Sequence, residues 1–191
     1  MNEMSEVKGL FQKNIIITGK HSEYMKALVA KPDLNLKQGI FNRQVDVLVM
    51  APVVGKIFSR KAELEPLKDS EGNENKVTMF LDQINSVRPE LELNYRMIML
   101  LEDRETLDIE ERINRAFRYD RDLEKQKECE KIFMHYVLGG LEVLYEKLIE
   151  PSKTLDDYVD NIYLFVKDFQ DRYYRDEINQ EIYSLCQLAT T

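Results

Sequence analysis

The sequence predicts an all-α chain, one compact bundle-like domain of about six to eight helices. Two observations carry this. Only seven Gly and five Pro punctuate 191 residues, against abundant Leu, Glu, Lys and Ile, the balance of a helical protein. From residue 77 onward, apolar residues recur at helical spacing almost without interruption. The first third admits an alternative, an α+β arrangement with a small two-stranded element.

Residues 14 to 18, "NIIIT", form a β-branched run of strand length, followed by Gly19 and by an amphipathic segment in which Tyr24, Met25, Leu28 and Val29 share a face. Thr18 or Ser22 is placed to cap that helix. "VDVLVMAPVVGKIFSRKAEL", residues 45 to 64, reads as one buried helix bent at Pro52. In the α+β alternative, residues 45 to 50 pair with 14 to 18 as strands.

"PLKDSEGNENK", residues 66 to 76, is the strongest loop signal. Val77, Phe80, Leu81 and Ile84 then fit i, i+3, i+4 and i+7 of a helix that Pro89 ends, opening the next. "LELNYRMIMLL", residues 91 to 101, is apolar on most sides and is expected at the centre. Asp108 and Glu111 form a capping-box pair before the stripe Ile109, Ile113, Ala116 and Phe117. A long helix spans about residues 122 to 149 and is closed by Pro151. Thr154 and Asp157 open another, and a last one is expected from Arg175 to Leu188. Segments 91 to 101, 132 to 149 and 155 to 169 are the expected centre.

Hydrophobic residues at 43% and charged residues at 32% describe a chain that folds. Net charge is −8, unevenly spread. Residues 1 to 69 hold 11 Lys and Arg against 8 Asp and Glu, whereas 70 to 191 hold 16 against 27. The chain therefore reads as a basic part, residues 1 to 65, a polar loop at 66 to 76, and an acidic helical body, residues 77 to 191. Cys129 and Cys186 have no disulfide or zinc spacing, which fits a reducing compartment. The longest apolar run, Val47 to Gly55, is about half a membrane span. A soluble, cytoplasmic protein without membrane attachment is expected.

Four stretches bear on chemistry. "TGKH", residues 18 to 21, suggests a phosphate loop, but Asn14 stands where its first Gly belongs, and His21 replaces the Ser or Thr that would hold magnesium. What remains is a helix start where Lys20 and His21 flank a positive end, a candidate anion-binding corner. In "GKIFSRKAEL", Lys56 and Arg60 lie at i and i+4 with Lys61 beside them, a candidate patch for nucleic-acid phosphates. Lys20, His21, Lys56, Arg60 and Lys61 are thus the candidate anion-binding residues. The series Arg112, Arg115, Arg118 and Arg121 spreads over half a helix circumference among acidic neighbours and reads as intrahelical ion pairs.

His135, Glu142 and Glu146 share one side of the long helix, the side opposite its apolar residues, where surface exposure is expected rather than a metal site. Gly139 and Gly140 inside that helix cost about 1 kcal/mol each relative to Ala, and close approach of a neighbouring helix would explain them. No catalytic motif, metal-ligand pattern or cofactor fingerprint is present, so no catalytic residues, metal or cofactor are assigned. These features favour a non-enzymatic helical interaction module, a subunit of a larger bacterial-type assembly with a protein partner or a second copy. A nucleic-acid-binding accessory protein using the basic N-terminal patch is the alternative. An enzyme acting on a phosphorylated substrate through the TGKH stretch is the third.

Overall fold

The computed structural model describes residues 9–33, 39–67 and 74–173. Its elements in chain order are β1 (Ile15–Thr18), α1 (Lys20–Val29), α2 (Gln44–Ile57), β2 (Lys76–Met79), α3 (Leu81–Asn85), α4 (Arg88–Leu101), α5 (Ile109–Phe117), a 3-10 turn (Tyr119–Arg121), α6 (Leu123–Leu148) and α7 (Leu155–Tyr173). The protein is mostly helical, with seven α-helices among the described residues and one small antiparallel sheet near its start. The chain divides into two compact units at Glu146/Lys147. The helix expected from Arg175 to Leu188 lies outside the described residues.

The two-stranded element exists, but with a different partner. β1 pairs with β2, Ile15 opposite Met79 and Ile17 opposite Val77, whereas residues 45 to 50 are helical inside α2. The helix expected to start at Val77 begins instead at Leu81. Burial explains the difference: Val77 and Met79 alternate inward on a strand, and only Ile84 of α3 is buried, so two short elements together mimic one helical stripe. The switch is held by side chains. Asn14 Oδ1 accepts from Leu81 N–H at 2.9 Å, and Gln83 Oε1 accepts from Phe80 N–H at 2.9 Å.

α2 is apolar nearly all round, with Val45, Val47, Leu48, Ala51, Pro52, Val54 and Gly55 buried, as a core helix must be. Asp46 closes its start by accepting from Arg43 N–H at 3.0 Å. Pro52 sits within the helix, and the buried Asn94 of α4 donates to the Val49 carbonyl one turn earlier at 2.8 Å. α2 crosses α6 at backbone contact. A Cβ on Gly140 would lie 2.5 Å from the Ala51 carbonyl carbon, and one on Gly55 3.0 Å from Gly140 N. The paired glycines of α6 therefore do mark close approaches, Gly140 to α2 and Gly139 to the segment that follows it.

α4 buries one face, Leu91, Asn94, Tyr95, Ile98 and Met99, while Leu93, Met97 and Leu101 are exposed. It is central on one side only. In α5, Asp108 accepts from Glu111 N–H at 2.7 Å, but Glu111 turns its carboxylate to Arg115 and Tyr119, so half of the expected box forms. The α5 stripe is only partly covered, since Ala116 is buried and Ile109 and Phe117 are exposed. Arg115 reaches Glu111 within the helix as expected, whereas Arg112 donates to the Leu100 carbonyl.

In the second unit, Thr154 and Asp157 form the full reciprocal box at the start of α7. The sequence pattern places residues 155 to 169 at the centre, yet none of them is buried. Leu155, Val159, Ile162, Tyr163 and Val166 are exposed. A helical period reports which side is apolar, and the partner that would cover that side is not encoded in it. No described helix is long and apolar enough to cross a membrane.

Candidate functional site

The candidate site is built where the chain leaves α2. Ser59 adopts a left-handed φ of 52°, and Arg60 N–H returns to the Gly55 carbonyl at 2.8 Å, which terminates the helix. The chain then runs as an irregular strap over α6, with Ala62 N–H donating to the His135 carbonyl at 3.0 Å. Gly139 makes room for it: a Cβ there would lie 2.5 Å from the Arg60 carbonyl carbon. The strap ends against α1. Glu65 accepts from Lys20 N–H at 2.8 Å, and the Thr18 hydroxyl donates to the Glu65 carbonyl.

Glu142, 8% exposed, is the centre of the first cluster. Lys20 Nζ lies 3.0 Å from its Oε1, Arg60 Nε 3.0 Å from its Oε2, and the other arm of Arg60 reaches Glu146 at 2.9 Å. Burial opposes ionisation of Glu142, but hydrogen bonds from Lys20 and Arg60 outweigh it and hold the carboxyl below its ordinary range. His21 is fully buried, with Nε2 3.3 Å from Glu142 Oε1 but misaligned for a hydrogen bond. Burial holds His21 below its ordinary value, and the attraction of Glu142 does not reverse this. The imidazole is therefore neutral at pH 7.

Glu102, 2% exposed at the end of α4, is the centre of the second. It accepts from Lys56 at 2.9 Å and also from Lys61 and the Tyr136 hydroxyl. Here too burial pushes the carboxyl up, and the hydrogen bonds from Lys61, Tyr136 and Lys56 bring it below its ordinary range. Both lysines also stand over the Tyr136 ring, 5.0 Å from its centroid.

All five candidate residues thus meet on two buried carboxylates. Lys20, His21 and Arg60 gather at Glu142, while Lys56 and Lys61 gather at Glu102. The four permanent cations face four carboxylates, those of Glu65, Glu102, Glu142 and Glu146, so the field over the strap is locally balanced. At the start of α1 the Lys20 N–H is taken by the carboxylate of Glu65 from the same chain.

Glu142, expected at the surface, is buried, whereas Glu146 is exposed and His135 is half-buried. The strap accounts for the correction, because it covers the helix side that periodicity marks as polar. Glu102, Tyr136 and Glu65 carried no sequence signal; Gly139 and Gly140 signalled that something lies close, without naming it. Among the described residues, no group of three His, Cys, Asp or Glu side chains is arranged to hold a metal ion.

Residues 15–184 match the model of the family described as DNA sulphur modification system-associated protein 4. The chain belongs to this family. The match spans β1 through α7 and contains both carboxylate clusters, so the strap lies within the family's own region. No curated protein and no solved structure matches the chain.

Proposed function

We propose that the protein is a non-catalytic accessory subunit that works at DNA together with the other proteins of a DNA sulphur modification system. Membership of a family associated with such a system supports the setting. The observation that carries the non-catalytic, protein-binding role is the commitment of Lys20, Lys56, Arg60 and Lys61 to carboxylates of the same fold. Cations held this way are structural parts, and phosphates would compete for them with partners already in place. Contact with DNA is then made chiefly through partner proteins.

A second reading is direct DNA contact by the N-terminal part. It is favoured by the side chains of Lys20, Arg60 and Lys61, which remain 44%, 47% and 43% exposed despite their pairing. One experiment separates the two. The protein is co-expressed with the DNA sulphur modification proteins of its host and purified, and both the complex and the free protein are titrated into labelled duplex DNA at about 50 and 200 mM salt. Stable co-purification with DNA binding confined to the complex supports the accessory reading. Saturable, salt-sensitive binding by the free protein supports the second, and no complex refutes the first.

A further inference from the structure

Two hollows of about 320 and 540 Å3 adjoin along β1 and the first half of α6. They share Asn14, Ile15, Lys127, Glu130 and Met134, and so form one groove. Three features of it bear on what it holds.

The first is an open strand edge. Gly19 N–H donates to the Asn75 carbonyl at 3.0 Å, which fixes the phase of the β1–β2 ladder. Bonded pairs alternate in an antiparallel ladder, so the register Ile17–Val77, Ile15–Met79 leaves the N–H and C=O of Ile16 pointing away from β2. Ile16 lines the groove, and β2 is the one strand partner of β1 among the described residues. The second is an apolar floor, on which Ile16 and Leu64 are 48% and 49% exposed beside Met134 and Leu138. The third is a cationic rim. Lys13, Lys127 and Lys131 line the groove, and none of them is held in an ion pair among the described residues.

We propose that this groove takes an extended segment of a protein partner, added as a third strand on the Ile16 edge, apolar at alternate positions and acidic between them. Strand addition supplies main-chain hydrogen bonds, and alternate side chains enter the hollows below. Acidic side chains meet Lys127 and Lys131, which stand one turn apart on α6. A nucleic acid fits less well, because it has no main-chain N–H and C=O ladder to pair with the Ile16 edge and no alternating apolar side chains to cover Ile16, Leu64, Met134 and Leu138. A second copy fits less well too, since pairing β1 with its own equivalent would set the two lysine pairs against each other. The inference rests on the accessory-subunit reading and names its docking surface.

The test uses the co-expressed complex with photoreactive benzoylphenylalanine in place of Leu64, and in place of Leu93, exposed on α4, as control. Crosslinks are mapped by mass spectrometry. In parallel, the Lys127→Glu, Lys131→Glu double variant, checked for folding by circular dichroism, is assayed for complex formation and for duplex DNA binding. Position 64 should crosslink to a single acidic-apolar segment of a DNA sulphur modification protein, with position 93 silent. The double variant should weaken the complex roughly tenfold. An intact complex with no crosslink at 64, or with equal crosslinks at 64 and 93, overturns the groove while leaving the accessory reading standing. Crosslinks to a second copy overturn the partner assignment, as does a double variant that loses DNA binding but keeps its protein complex. No complex at all removes both.

Discussion

Gly140→Ala isolates the backbone contact between α6 and α2, the helix from which the strap departs. In an exposed helix the change would stabilise by about 1 kcal/mol, because Ala has the higher helix propensity. Here the added Cβ would stand 2.5 Å from the Ala51 carbonyl carbon and 2.9 Å from Gly55 N, where ordinary contact begins at 3.4 Å. Both obstacles are backbone of α2, so no side chain can rotate away. The helices must separate by roughly 1 Å, loosening Ala51, Val54, Val137 and Leu141, all at most 1% exposed. Overpacking of this kind costs about 1–3 kcal/mol or more, and the lost packing adds to it. A net loss of about 3 kcal/mol is expected, a fall in Tm of roughly 6–12 °C for a chain of this size. Urea and thermal unfolding followed by circular dichroism measure it. A variant as stable as the parent, or more so, would refute the backbone-contact argument.

The remaining predictions concern the clusters. Replacing both Lys56 and Lys61 by Ala strands Glu102, 2% exposed, and should cost about 3–5 kcal/mol in urea unfolding; adding Glu102→Ala should recover part of that loss. Glu142→Ala should cost less, about 2 kcal/mol, because Lys20 and Arg60 are near half-exposed and regain water. Stability should fall with acid in two stages. His21 has a folded pKa below its ordinary 6.5, so the unfolded chain binds more protons and stability declines as pH drops through about 6.5. Glu102 and Glu142, held below their ordinary 4.5, contribute stability that is present above about 4.5 and lost further down. Denaturant midpoints between pH 8 and 3 check this, and a profile flat from 7 to 5 in both the parent and His21→Phe would exclude the histidine stage. Gly19→Ala should destabilise by about 1–2 kcal/mol, since φ is +62° and a Cβ would lie 2.6 Å from Glu65 Cβ.

Much of the fold is legible because it is written locally. The capping pair Thr154–Asp157, the Asp108 cap, the entry at Pro89 and the buried helix containing Pro52 each depend on residues within one or two turns of each other. Two things are not local. Strand pairing joins residues 15–18 to 76–79, and no feature of "KVTM" distinguishes its partner. Coverage of an amphipathic face is likewise set elsewhere, which is why α7 and Ile109 of α5 present apolar side chains that periodicity assigned to a core.

The site shows the same boundary from the side of charge. Lys56 and Lys61 stand together at Glu102, whereas Arg60 parts from them to join Lys20 and His21 at Glu142, so the fold divides the cluster that the sequence suggests. Its meaning changes because their counter-charges arrive from far along the chain: Glu102 is 41 residues beyond Lys61, and Glu142 is 82 beyond Arg60. A basic first third and an acidic remainder can describe two faces offered to different partners, or one interface closed inside the molecule. Here the asymmetry is largely consumed by the fold, since Lys20, Lys56, Arg60 and Lys61 are all matched by carboxylates within it. Of the three groove lysines that form no ion pair among the described residues, Lys13, Lys127 and Lys131, the last two come from the acidic part of the sequence, where a count of net charge gives no reason to look.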